Sequence, residues 1–120
     1  MGQSYRDLIA WQKAMDYVMD VYKSTASFPR DEVYGLAVQM RRGATAIPTN
    51  IAQGQARYSP GEFHHHLGRA RGALVEVETQ IVIAQNLAYL SPERSQFLLA
   101  KSAEISKILS GLASAIRPAA

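Results

Sequence analysis

Apolar residues in this chain recur at intervals of three and four along most of its length, and no run reads as a strand. That periodicity restricts the chain to helices with one apolar face each. The first run extends from about Leu8 to Ser27, with Leu8, Trp11, Met15, Val18 or Met19, and Tyr22 on its stripe. Asp7 reads as its N-cap, and Phe28-Pro29 ends it, because the residue before a proline avoids the helical region. The second run extends from about Glu32 to Gln53, with a stripe of Leu36, Met40, Ala44, Ile47 and Ile51 and Gly54 as its stop. Pro48 lies inside it. Its missing N–H leaves the Ala44 carbonyl without a donor, which predicts a kink.

The third run opens on Ser59-Pro60-Gly61-Glu62, a serine N-cap, a proline at the first helical position and a glutamate placed for a capping box. It carries Phe63, Leu67, Ala70, Leu74, Val77, Ile81 and Ala84 to about Leu87. The fourth repeats that start at Ser91-Pro92-Glu93-Arg94, with Arg94 where the box wants an acid, and carries Leu98, Ile105, Ile108, Leu109, Leu112 and Ile116 before Pro118. Long helices joined by short connections return antiparallel. The expected fold is all-α: an antiparallel up-and-down four-helix bundle, kinked at Pro48, filling one domain over residues 1–120. A 48% apolar composition over 120 residues suffices for one core without staples.

Several classes of chemistry are disfavoured by the same residues. With no cysteine, disulfides, thiolate nucleophiles and Cys-based metal sites are excluded, which fits a reducing, cytoplasmic setting. No apolar run reaches membrane-spanning length, the N-terminus lacks a signal-peptide core, and Arg6 stands where a myristoylation motif needs Ser or Thr, so no membrane partner is expected. His64, His65 and His66 point about 100° apart on a helix and cannot converge on one ion, so they read as surface or boundary residues and no metal is expected. Glu76 and Glu78 diverge by about 160° and cannot act as a carboxylate pair on one substrate. No nucleophile elbow, Gly-rich phosphate loop or dinucleotide fingerprint is present. The expectation is a protein without catalysis or cofactor.

The net charge of +3 is unevenly spread. Residues 34–73 hold five arginines (Arg41, Arg42, Arg57, Arg69 and Arg71) against the single acid Glu62, whereas the flanking segments are near neutral. Guanidinium groups suit bidentate phosphate recognition, although such residues also serve as ordinary surface groups or as partners of buried acids. Helix geometry turns Arg42 outward and places Arg41 at the flank of its stripe; on the third helix Arg69 points away and Arg71 flanks. Arg57 stands beside Tyr58 in a connection, a pairing that can meet a phosphate and a stacked base. Val75, Val82 and Ile83 lie off the third helix's stripe and suggest a subunit interface.

The second helix carries a recognisable signature. Gly35-Leu36, Gln39-Met40-Arg41-Arg42 and Ile47-Pro48-Thr49-Asn50-Ile51-Ala52-Gln53-Gly54 resemble the 23S rRNA-intervening sequence protein family. Asp7-Leu8, Trp11-Gln12, Phe28-Pro29, Glu62-Phe63, Glu78-Thr79-Gln80 and Tyr89-Leu90 agree, so the resemblance spans about Tyr5 to Leu90. It implies a four-helix bundle, commonly a ring-shaped homopentamer, without catalysis. The family is also similar to the accessory protein of diversity-generating retroelements, a pentameric bundle that binds nucleic acid and a reverse transcriptase. Arg41, Arg42, Asn50 and Glu78 match the family, and they read as a polar cluster bracing the Pro48 kink, with Arg41 or Arg42 as partner of Glu78. Three departures stand out: Gln53 replaces a glutamate, Gly43 replaces a small alanine and loosens the helix, and histidines fill 64–66.

The functional expectation is a non-enzymatic oligomer that binds nucleic acid, RNA ahead of DNA, through Arg42, Arg57 and Arg69, with Arg41 and Arg71 less favoured. The alternative is a scaffold whose partner is another protein, with no nucleic-acid binding.

Overall fold

Two serine–proline starts set the boundaries of half the bundle. In the computed structural model, which describes residues 4–32, 34–57 and 59–116, Ser59 Oγ accepts from the Glu62 N–H at 3.4 Å and Ser91 Oγ accepts from the Arg94 N–H at 3.1 Å. These caps open α3 (Pro60–Asn86) and α4 (Pro92–Ala115). Before them come α1 (Ile9–Thr25) and α2 (Leu36–Ala56), each preceded by a short 3-10 turn, Tyr5–Asp7 and Arg30–Glu32. Among the described residues there is no strand, and no helix is long and apolar enough to cross a membrane.

Cross-helix contacts fix the directions. Along α1 and α4, Lys13 meets Glu104, Tyr17 meets Ser102, Asp20 meets Lys101 and Ser24 meets Arg94, so the numbers rise on one helix as they fall on the other. Between α2 and α3, Gly54 lies against Phe63 and His66, Asn50 bonds His66, and Gly43 lies against Val77. Both pairs are antiparallel. All four helices feed one core, in which Tyr17, Met40, Ile47, Leu67, Leu74 and Leu98 are fully buried.

Several sequence expectations need correction. The core face of α1 is Ala10, Ala14, Tyr17, Val18 and Val21, one residue out of phase with the expected stripe, and Met15, Met19 and Tyr22 are exposed. Small alanines let α1 approach its neighbours closely, so the larger side chains fall outside. The N-cap of α1 is Leu8, without a side-chain bond, and Asp7 belongs to the preceding 3-10 turn. Helix α2 begins at Leu36 rather than Glu32, because Glu32 turns its carboxylate back as a cap: Oε1 accepts from the Leu36 N–H at 3.1 Å. The helix also runs past Gly54, whose place is set by packing. An added Cβ there would lie 2.7 Å from His66 Cβ and 3.3 Å from Phe63 Cα.

Gly43 is likewise a packing residue rather than a loosened alanine site, since a Cβ would lie 2.8 Å from Val77 Cγ2. Pro48 is buried within a continuous α2. Around it, polar side chains bond back onto the helix's own carbonyls: Thr45 onto Arg42, Thr49 onto Thr45 and Asn50 onto Ala46. Such bonds occupy carbonyls near the ladder position that proline leaves open.

Candidate nucleic-acid interface

The α2–α3 pair carries four of the five arginines singled out by charge in exposed positions: Arg42 and Arg57 on α2 and its C-cap, Arg69 and Arg71 on α3. Among the described residues the ion pairs are Lys13–Glu104 and Lys101–Asp20, so none of these four has a carboxylate partner. Arg41 differs. Its Nε donates to Thr25 Oγ1 at 2.9 Å and its guanidinium lies 4.7 Å from the centre of the Tyr22 ring, so it fastens α2 to α1. Arg41 is therefore not the partner of Glu78, and Arg42 is not either.

Glu78 is half-buried without an ion-pair partner in its own chain, and burial raises its pKa. Its charge also helps to raise the pKa of Tyr17, whose hydroxyl burial pushes up to about 12 and which hydrogen-bonds Ser102. The expected polar cluster thus divides. Asn50 belongs with His66, whereas Glu78, about 120° around α3 from His66, acts on Tyr17 of α1.

His66 is 5% exposed, a correction to the surface or boundary reading of the three histidines; His64 and His65 are exposed. Asn50 Nδ2 donates to the Ala46 carbonyl at 2.9 Å, which leaves its Oδ1 as the atom facing His66 Nδ1 at 3.2 Å. His66 must then carry its proton on Nδ1. Burial lowers the His66 pKa, and Arg69, Arg57 and His65 lower it further, against Glu62. Arg57 and Arg69 are thereby brought to one end of the α2–α3 surface, beside a histidine held neutral.

Arg42 faces outward on the same pair of helices. It lies fifteen residues before Arg57, about 22 Å along the helix. Arg71 follows Arg69 by two residues, or about 200° of rotation, and so lies on the other flank of α3. The structure therefore gathers Arg42, Arg57 and Arg69 on one side and separates Arg41 and Arg71 from them. Tyr58, expected beside Arg57 as the residue that stacks a base, lies outside the described residues.

The sequence profile described as 23S rRNA-intervening sequence protein matches residues 6–111. The chain belongs to the 23S rRNA-intervening sequence protein family. Its bundle is similar to the crystal structure of a protein of unknown function from the S23 ribosomal protein family of Bacteroides thetaiotaomicron. That likeness has a TM-score of 0.79 at 20% identity and covers 88% of this chain and 96% of the other. No functionally curated protein matches.

Two polar arrangements in this family member escaped the sequence reading. Arg94 Nε donates to Ser24 Oγ at 2.7 Å while its guanidinium lies 4.5 Å from the Phe97 ring centre, and Lys101 covers the same ring at 4.7 Å. Glu32 Oε2 accepts from the Tyr89 hydroxyl at 3.0 Å, tying the α2 cap to the α3–α4 connection. The signal for the first was Arg94 in a capping-box position; the second pairs residues 57 apart and had no local signal.

Proposed function

We propose that this member of the family is a non-enzymatic, oligomeric helical bundle that binds nucleic acid, RNA in particular, through Arg42, Arg57 and Arg69. One observation carries the reading: these arginines are exposed on one side of α2–α3 without a carboxylate partner, while Arg41 and Arg94 are engaged within the fold. Guanidinium groups spaced along about 22 Å of helix can engage successive backbone phosphates, which gives affinity without strong sequence preference. The family's description, which names ribosomal RNA, puts RNA ahead of DNA. A ring of copies, five by resemblance, multiplies a charge that is modest in one chain. The uncovered apolar residues Val75 and Val82 on α3 support assembly.

The test is binding to labelled RNA and DNA strands across a salt series. Three arginines per engaged subunit give a slope of log affinity against log salt of about −2 on a single strand. Replacing Arg42, Arg57 and Arg69 by glutamate abolishes binding while helicity and sedimentation stay as in the parent. Unchanged binding in that variant sinks the assignment of the surface. No binding by the intact oligomer at low salt favours the protein scaffold.

A further inference from the structure

Helix α1 presents an apolar stripe that the bundle does not cover: Met15, Met19 and Tyr22 are 39%, 56% and 42% exposed. Helix α3 presents another, with Val75 and Val82 at 59% and 46%, Thr79 between them, and Gly72 one turn earlier in open space. Charges stand at the edges of both stripes. Asp16 and Lys23 each come one residue after a stripe position, following Met15 and Tyr22. Arg71 and Glu78 each come one residue before one, preceding Gly72 and Thr79.

The two sets match. Each pair is separated by seven residues, about 10.5 Å along a helix, and the order of sign is opposite: acid then base on α1, base then acid on α3. None of the four has an ion-pair partner in its own chain among the described residues. Glu78 has the most to gain, because it is already half-buried and its ionised form is disfavoured there. Rotation decides the rest. One residue after and one residue before a stripe are opposite rotations of about 100°. When two parallel helices face each other, opposite rotations fall on the same side of the seam.

We infer that α1 of one copy of this chain docks in parallel on α3 of a second copy, with Asp16 against Arg71 and Lys23 against Glu78 along one edge. At that register Met15 and Met19 pack on Gly72 and Val75, and Tyr22 packs between Val75 and Thr79, while Val82 lies just beyond the end of α1. The inference rests on the oligomer proposed above and names its interface. Helices α1 and α3 run in the same direction within a bundle, because α1 is antiparallel to α4 and a connection of only five residues, 87–91, returns α3 into α4. Rotation about an axis along the bundle keeps neighbouring copies parallel. Each copy uses two different faces, so the contact is heterologous and propagates around a closed ring. Arg71 is occupied at this seam, which agrees with its separation from Arg42, Arg57 and Arg69.

The experiment is sedimentation velocity on the full chain over a concentration series, with circular dichroism confirming helicity. Asp16 and Arg71 are exposed, so their reversal leaves the fold intact. Asp16→Arg and Arg71→Asp each weaken association by about tenfold or more, since each sets like charges together at every contact. The double variant restores opposite charges across each contact and recovers assembly. Met19→Glu, which buries a charge in the seam, dissociates the oligomer independently. Single reversals that assemble like the parent, or a double variant worse than either single one, overturn this interface and leave the oligomer standing. A dimer built from α3 alone would ignore the α1 substitutions and also overturn it. A parent chain that is monomeric at every concentration overturns both proposals.

Discussion

Replacing Gly43 by alanine sets two effects of opposite sign against each other, and the structure decides between them. Alanine in a helix interior is favoured over glycine by about 0.5–1 kcal/mol. At position 43, however, the new Cβ lies 2.8 Å from Val77 Cγ2, well inside ordinary contact. Val77 is fully buried, and its β-branched side chain has one strongly preferred rotamer in a helix, so the methyl cannot turn aside. Overpacking of this kind costs about 1–3 kcal/mol. The expected net result is a destabilisation of roughly 0.5–2 kcal/mol, read as a lower urea midpoint at fixed protomer concentration. Val77→Ala alone removes two buried methyl carbons and costs about 1–2 kcal/mol. In the double variant the methyl added at position 43 enters the space that the valine leaves. The two changes should therefore couple favourably, by about 1 kcal/mol or more in a double-mutant cycle. A Gly43→Ala variant as stable as the parent, or more so, would overturn this account. It would mean that helix propensity dominates and that glycine at 43 only loosens α2.

Two further outcomes follow from local geometry. Ala88 has φ 63°, and the Tyr89 and Ala88 N–H groups return to the Ala84 and Gln85 carbonyls, so α3 ends in a Schellman motif with alanine at the left-handed position. Ala88→Gly relieves about 1 kcal/mol and should raise the melting temperature by about 3–6 °C; no rise would count against that strain. His66 favours its neutral form in the folded state, so its pKa lies below the ordinary 6.5. The unfolded chain then binds the extra proton as pH falls through 6.5. Stability is complete above that value and declines between it and the lowered folded pKa. NMR titration of the ring should show the depressed value, and Asn50→Asp should raise it by placing a carboxylate against Nδ1. A parent His66 that titrates at or above 6.5 would contradict the burial argument.

The helix content, the two serine–proline starts and most of the α2, α3 and α4 core positions were legible because they depend on neighbours three or four residues away. Features that depend on the partner helix were not. The need for glycine at 43 lies in Val77 across the helix pair, and the start of α2 at Leu36 lies in the Glu32 carboxylate that caps it, neither of which apolar spacing encodes. His66 differs from His64 and His65 only in the direction it faces, and Asn50, sixteen residues away in sequence, supplies its bond. At the proposed interface, the outward placement of Arg42 followed from rotation alone. The engagement of Arg41 by Thr25 and Tyr22 required the packing of α1 on α2.

The phase of α1 is where the structure departs furthest from the sequence pattern, and the cause bears on function. Alternation at three and four residues yields two candidate stripes on this helix, one of Ala10, Ala14, Tyr17 and Val21 and one of Trp11, Met15, Met19 and Tyr22. Weighing by size selects the second, because burial free energy grows with apolar area. The bundle uses the first, because alanines allow close approach and Tyr17 finds Ser102 for its hydroxyl. A chain that met only water would have little reason to keep two methionines and a tyrosine on its outer stripe. Their surplus is explained if burial is completed by another copy rather than within the fold. Hence the same residues that mislead a single-chain reading of α1 are those that assembly would require, and Met19→Glu tests both at once. In the isolated bundle that substitution should be nearly neutral in stability, because Met19 is 56% exposed. In the ring it should dissociate the subunits.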